Sequence, residues 1–328
     1  MKTTINAKDV AKLAGVSQSS VSRVYFEGAK VSTKTREKVL AAAEELGYRP
    51  NEFARSLITN RTKIIGLVMK GVQNPFYPQV LTQFANAFKH HGYSVLFVHT
   101  NSDEIQAEDI ETLLNYNVAG VVITDASMSL NVAESFKANQ IPLVFFNRKL
   151  SHSTFYSVCC NNLNAGRSIG HYLMAEGLRD AVYISGNENT STSLEREKGF
   201  GEALDQCTLT YAKHTSDFTY EGGYKTALNI IKNNTLPSAF FVANDIMALG
   251  VLDALRKHAI QVPQQVKVIG FDNISMSSWP AYELTTWEQP IEEMVEATVN
   301  YLMSEIANYS GRVEAVEIEG KLIERKTT

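Results

Sequence analysis

Two hydrophobic spacings divide this chain, one in the first fifty residues and another from Ile64 onward. In the first, apolar residues recur every three or four positions, as on short amphipathic helices. Asn6 is placed to cap a helix that turns Val10, Leu13 and Ala14 inward, with Asp9 in its first turn and Gly15 as its stop. Ser17 caps a second helix from Gln18 to about Tyr25; Val21 and Val24 face in, and Gln18, Ser19, Ser22 and Arg23 are left outside. A third follows Ser32, repeats Val39, Ala42, Ala43 and Leu46, and ends at Gly47. Two short helices joined by a tight turn make a helix-turn-helix, and a third closes a small core.

Pro50 interrupts this pattern, and Asn51 is placed to cap one more short helix carrying Ala54 and Leu57 on one side and Arg55 on another. So short a helix orders only against a partner, which suits a hinge. From Ile64 the pattern becomes apolar runs separated by amphipathic stretches: 64–69, 94–98, 118–124, 142–146, 180–186, 238–245 and 266–272. Buried strands alternating with helices predict parallel sheets with helices on both faces, twice over at this length. Such sheets bind ligands outside their C-terminal strand ends. Polar residues follow these strands at Asn74, Asn147-Arg148, Asn187 to Ser193, Asn244-Asp245 and Asp272-Asn273, and together they predict a cleft lining.

Charge separates the same two parts. Residues 1–63 hold twelve basic and six acidic side chains, whereas the remainder holds nineteen basic against twenty-nine acidic. Only the head suits a polyanion. In a helix-turn-helix the second helix enters the major groove, so Gln18 is the expected base reader, its amide pairing with adenine. Ser19 and Ser20 offer hydroxyls, Arg23 reaches guanine or a phosphate, and Lys8, Lys34 and Arg36 suit phosphates.

Catalytic signatures do not appear. The chain has no G-x-G-x-x-G, no G-x-x-x-x-G-K-[ST], no G-x-S-x-G and no H-E-x-x-H. Its seven histidines are scattered and its three cysteines lack metal spacing, so no metal or cofactor is expected. Asp245 and Asp272 are the one acid-base pair an enzyme reading has to draw on. No apolar run approaches a membrane span, and MKTTINAKDV lacks a secretory stretch, so the expected location is the cytoplasm.

The segments VAKLAGVSQSSVSRV (10–24), YRPNEFARSL (48–57), NPFY (74–77), EREKGF (195–200), VANDIMALG (242–250), VIGFDN (268–273) and LTTWEQP (284–290) resemble the signatures of the LacI/GalR family of bacterial repressors. The resemblance spans almost the whole chain. It implies an all-α helix-turn-helix head with a hinge helix, followed by an α/β two-lobed effector domain like the periplasmic binding proteins. The implied boundaries are 1–49 for the head, 50–62 for the hinge and 63–328 for the effector domain. Lobe 1 would cover about 63–161 plus 291–318, and lobe 2 about 162–290 plus 319–328.

Carried over by position, the resemblance assigns DNA contacts to Ser17, Gln18, Ser19, Ser20, Ser22 and Arg23, joined by Asn51 and Arg55 of the hinge. Leu57 becomes a wedge in the minor groove at the operator centre. Effector contacts fall on Phe76, Tyr77, Asn147, Ser193, Arg196, Asn244 and Asp272, with Phe218 stacking nearby. Asn147 and Asn161 stand where many members have aspartate, and Trp287 is unusually large, filling either the core or the cleft near the lobe crossover. The implied partners are double-stranded, pseudo-palindromic operator DNA, a second copy in a homodimer and a small polar effector, a sugar or sugar derivative. Effector binding would change the lobe angle and thereby DNA affinity. Competing readings are a solute-binding protein with a vestigial head and a sugar-modifying enzyme.

Overall fold

Side-chain caps begin each helix among the described residues of the N-terminal unit. The computed structural model describes residues 5–25, 29–49, 62–70, 72–100, 105–124, 128–149, 155–188 and 190–328. In helix α1 (Ala7–Ala14), Asn6 accepts from the Lys8 N–H at 2.9 Å while Asp9 accepts from the Asn6 N–H at 2.9 Å, and Gly15 ends the helix at φ 65°. Ser17 caps α2 (Gln18–Val24) and Ser32 caps α3 (Thr33–Leu46) in the same way. Val10, Ala11, Ala14, Val21, Val24, Val39, Ala42 and Ala43 form the small core. Arg36 donates to the Val24 carbonyl at 3.0 Å, tying α3 to the end of α2. Leu13 departs from expectation and is exposed. With 100° per residue, the inward face centres on Val10, Ala11 and Ala14, and Leu13 falls beside it. The expected hinge helix, with Asn51, Arg55 and Leu57, lies outside the described residues.

The second unit, Lys63–Thr328, contains two six-stranded sheets. The first has the order β11-β5-β4-β3-β1-β2 and is parallel throughout. Its strands are β1 (Ile64–Met69), β2 (Ser94–His99), β3 (Gly120–Thr124), β4 (Leu143–Phe146), β5 (Tyr156–Cys160) and β11 (Ala315–Ile318). The second has the order β12-β10-β9-β8-β6-β7, comprising β6 (Ala181–Ser185), β7 (Tyr211–Thr215), β8 (Ala239–Val242), β9 (Lys267–Asp272), β10 (Thr285–Glu288) and β12 (Lys321–Ile323). Only β12 runs antiparallel to its neighbour there. We refer to the halves built on these sheets as lobes 1 and 2.

Central strands such as β3, β5 and β8 are buried at every position, the mark of a sheet covered on both sides. Cys159 and Cys160 therefore are both buried although they face opposite ways. In lobe 1 β1 lies between β3 and β2, and in lobe 2 β6 lies between β8 and β7, so each sheet has a switch point where the chain leaves in opposite directions. The chain crosses between lobes after β5, after β10 and between β11 and β12. Glu319 in the last crossing accepts from Asn161 at 2.6 Å and from Asn164 at 2.8 Å beside the first.

Lobe 2 depends on close backbone approach between α7 (Asn162–Ala175) and α8 (Ser191–Asp205). A Cβ on Gly166 would lie 2.2 Å from the Arg196 carbonyl oxygen, and one on Gly199 1.9 Å from that of Leu163. Backbone cannot yield as a flexible side chain does, so these glycines set the distance between the helices. Gly199→Ala is expected to destabilise lobe 2 by about 1–3 kcal/mol through overpacking, measured by urea unfolding.

Candidate functional site

On the head, the face of α2 opposite its buried valines presents Gln18, Ser19, Ser22 and Arg23 to solvent, with Ser17 exposed at the cap and Ser20 half-buried. The Ser17 hydroxyl bonds those of Ser19 at 2.8 Å and Ser20 at 2.9 Å. These hydroxyls are held near the helix start, and Gln18 is outside their network. Lys8, Lys34 and Arg36 are also exposed.

In the second unit, the C-terminal strand ends of the two lobes enclose a cleft of about 670 Å³, within the range of small-molecule sites. Phe76, Tyr77, Asn147, Arg196, Phe218, Asn244 and Asp272 line it together. Ser193 does not: its hydroxyl is buried in lobe 2, and its carbonyl accepts from Tyr183 at 3.2 Å. The expected polar loop after β6 is shorter than its sequence suggests, because Thr190 caps α8 and Ser191 to Ser193 form its first turn. Of that segment, Asn187, Glu188 and Thr192 reach the cleft.

Arg196 is 3% exposed and braced on three sides. Its Nε donates to Asn162 at 2.8 Å, Nη1 donates to the Ala243 carbonyl at 2.5 Å, and the guanidinium lies 3.4 Å from the Phe271 ring centroid. What remains of the fork is fixed in direction toward the cleft. Asp272 stands at the end of β9 with φ 119°, a backbone region that non-glycine residues seldom occupy. Gln289 donates to its Oδ1 at 2.7 Å, and Asn74 of lobe 1 donates to its Oδ2 at 3.4 Å.

Asn244 caps α10 (Asp245–Lys257) by accepting from the Met247 N–H at 3.1 Å, and its amide donates to the Phe218 carbonyl at 3.3 Å. Phe218 has φ 63°, and its ring packs so closely on Gly186 that a Cβ there would meet it at 2.2 Å. Asn147, also left-handed at φ 62°, buries its Oδ1 with no partner among the described residues. Phe76 and Tyr77 begin α4 (Phe76–His90), with ring centroids 5.2 Å apart edge to face.

Residues missed from sequence complete the walls: Lys70, Val72, Gln73, His99, Thr100 and the run Thr215–Thr219 around Phe218. His99 and Thr100 directly follow the predicted run 94–98, so the rule that polar residues follow strands reaches them, although His99 is the last residue of β2 itself. Thr215 ends β7 and Ser216 and Asp217 follow it; this edge strand, YAKHT, has no apolar run. Asn161 caps α7 and Asn273 bonds Glu288 and Arg325, so neither lines the cleft. Trp287 is buried and also absent from the lining, which settles it in the core.

Asp245 is fully buried and does not face the cleft. Its carboxylate accepts from the Ile274 N–H at 3.0 Å, Ser277 at 2.6 Å and Thr286 at 2.6 Å, knotting α10 to the segments after β9 and in β10. Burial, with the neighbouring Asp272 charge, pushes it up to about 7 against these hydrogen bonds. A carboxyl raised in the folded state contributes stability below its unfolded value that is lost as pH rises through the folded one. Relative to Asp245→Asn, wild-type stability should fall on the order of 4 kcal/mol between pH 4 and pH 8, read by denaturation of both proteins across that range.

Among the described residues there is no cluster of histidine, cysteine and carboxylates able to hold a metal, and no helix long and apolar enough to cross a membrane. Comparison with known proteins places the chain among regulators. A model described as bacterial regulatory proteins, lacI family, matches residues 6–51, and a periplasmic binding protein-like domain matches 171–328. The chain is 32% identical over 326 residues to the HTH-type transcriptional repressor PurR of Edwardsiella ictaluri (strain 93-146), covering 98% of this chain and 96% of that protein. The lac repressor dimer bound to operator and the anti-inducer ONPF superposes with a TM-score of 0.88 at 25% identity, covering 98% of each chain. The transcriptional regulator CelR in complex with cellobiose gives a TM-score of 0.73 at 26% identity, covering 99% of this chain and 100% of that one.

Proposed function

We propose, from the premise that this chain belongs to the lacI family of bacterial regulatory proteins and is a DNA-binding transcriptional repressor rather than an enzyme, that its cleft takes a small, neutral, hydroxyl-rich effector controlling operator binding. The observation that carries this reading is the pairing of a braced Arg196 with a braced Asp272 in one cleft. A neutral polyol receives from the arginine and donates to the aspartate without burying an unpaired charge. An anion would meet Asp272, and a cation Arg196. Asn147 and Asn244 supply amides that give or accept, and Phe76, Tyr77 and Phe218 supply the apolar edges that cover a sugar ring. The cellobiose complex of CelR supports a carbohydrate. The same three rings also suit a flat heteroaromatic molecule, a second reading that a ligand screen separates.

Calorimetry against hexoses, pentoses, disaccharides, uronates, sugar phosphates, nucleosides and nucleobases should give saturable binding of a neutral sugar. Arg196→Ala should weaken it about 10- to 100-fold, the loss of hydrogen bonds from a charged donor. A phosphorylated or acidic ligand that binds while its neutral parent does not would overturn this reading.

On DNA, a two-fold protein reads two-fold sites, so we assign the exposed face of α2 to the half-sites of a pseudo-palindrome, bound by a homodimer. Gln18 is the base reader; Ser17, Ser19, Ser20, Ser22 and Arg23 hold the helix start against the backbone and flanking bases. Gln18→Ala should cost about 1–3 kcal/mol per half-site on the selected operator and much less on random DNA, measured by mobility shift at fixed salt. Equal losses on both would make Gln18 a positioning contact.

A further inference from the structure

Lys149 sits two residues beyond Asn147 and one beyond Arg148, in the connection from β4 to β5 of lobe 1, yet it does not line the cleft. Its backbone N–H donates to the Ser191 hydroxyl at 3.0 Å, at the start of α8 in lobe 2. Its ammonium donates to Glu195 on α8 at 2.8 Å and to Glu317 on β11 of its own lobe. Glu195 directly precedes Arg196 in the helix whose position the glycine contacts fix. The lysine side chain is 19% exposed and its partners 26% and 39%, so the triad is partly shielded from water. Burial works against the ammonium, but its hydrogen bonds to Glu195 and Glu317 outweigh it and hold the charge.

We propose that Lys149 is a latch between the lobes, a positioning residue that touches no effector but sets how readily the cleft closes. The inference rests on the reading of this cleft as the effector site. The contacts divide by lobe: opening leaves Lys149 with Glu317 and separates it from Glu195 and Ser191. They exist in the lobe arrangement seen here and favour it over one in which the lobes part, which is what a shift between two states requires. Without the cation, Glu195 and Glu317 become two carboxylates apposed across the lobe boundary and push it apart. Loss of the lysine therefore opens the cleft more than loss of Glu195 alone.

The test uses the full chain without any ligand. The residue-149 amide survives substitution of its side chain, and its bond to Ser191 crosses the boundary. The Asn147 amide, which donates to the Val158 carbonyl at 2.8 Å within lobe 1, is the internal control. Residue-resolved hydrogen exchange should show the residue-149 amide exchanging about five- to tenfold faster in Lys149→Met, with Asn147 unchanged. Glu195→Gln should give a smaller increase, Lys149→Arg should stay near wild type, and adding Glu195→Gln to Lys149→Met should recover part of the loss by removing the repulsion. An unchanged residue-149 amide in Lys149→Met overturns the latch, as does equal acceleration at Asn147, which would mean general loosening of lobe 1. Because no effector enters the measurement, a failed ligand screen and a failed latch are separate results.

Discussion

A parallel sheet covered on both faces has no room for polar chemistry except at its strand ends. The inner strands of both sheets in the second unit are parallel and of this kind, with β3 and β8 buried along their length. Their C-terminal ends meet across one cleft, and the residues that stop those strands become its walls. Asn147 after β4, Asn244 after β8 and Asp272 closing β9 are at once strand terminators, helix caps or left-handed turns and the cleft's donors and acceptors. Fold and site share residues because most of the buried strand length is apolar and the strand ends are where polar side chains gather.

The walls are electrically balanced in a directional way. Lobe 1 contributes Lys70 and Arg148, whereas lobe 2 contributes Glu188, Asp217 and Asp272 with Arg196 as its lone base. Opposite signs on facing walls draw the halves together, and the Lys149 ammonium between Glu195 and Glu317 repeats the arrangement outside the cleft. The basic head and acidic remainder separate DNA attraction from effector capture along the chain.

Much of this was legible in the residues, for physical reasons that also mark where legibility stops. Caps write helix starts locally, so Asn6, Ser17 and Ser32 place the three head helices without tertiary knowledge. Leu13 misleads because three-residue spacing leaves the inward side of a one-face helix undetermined until its partners are known. Strands inside the sheets announce themselves by apolar runs; β7, β11 and β12 do not, because an edge strand half in water tolerates YAKHT, AVEI or KLI. Strands β5 and β10 are buried but dilute their runs with serine, cysteine and threonine. In the cleft, residue types were readable and backbone shape was not. A left-handed Asn147 is unremarkable for asparagine, but Phe218 at φ 63° is imposed by its contacts with Gly186 and Asn244.

The bracing of Arg196 bears on how such a cleft diverges. A side chain that holds Asn162, the Ala243 carbonyl and the Phe271 ring has duties to the lobe as well as to any ligand. Replacing it disturbs the packing of α7, β8 and β9 together, so a new ligand preference is difficult to reach by that route. Asn147 offers an easier path: its buried Oδ1 engages nothing among the described residues. Drift in ligand preference within this scaffold is thus channelled to positions whose polar ends the fold has left uncommitted, while the arginine stays as inherited architecture.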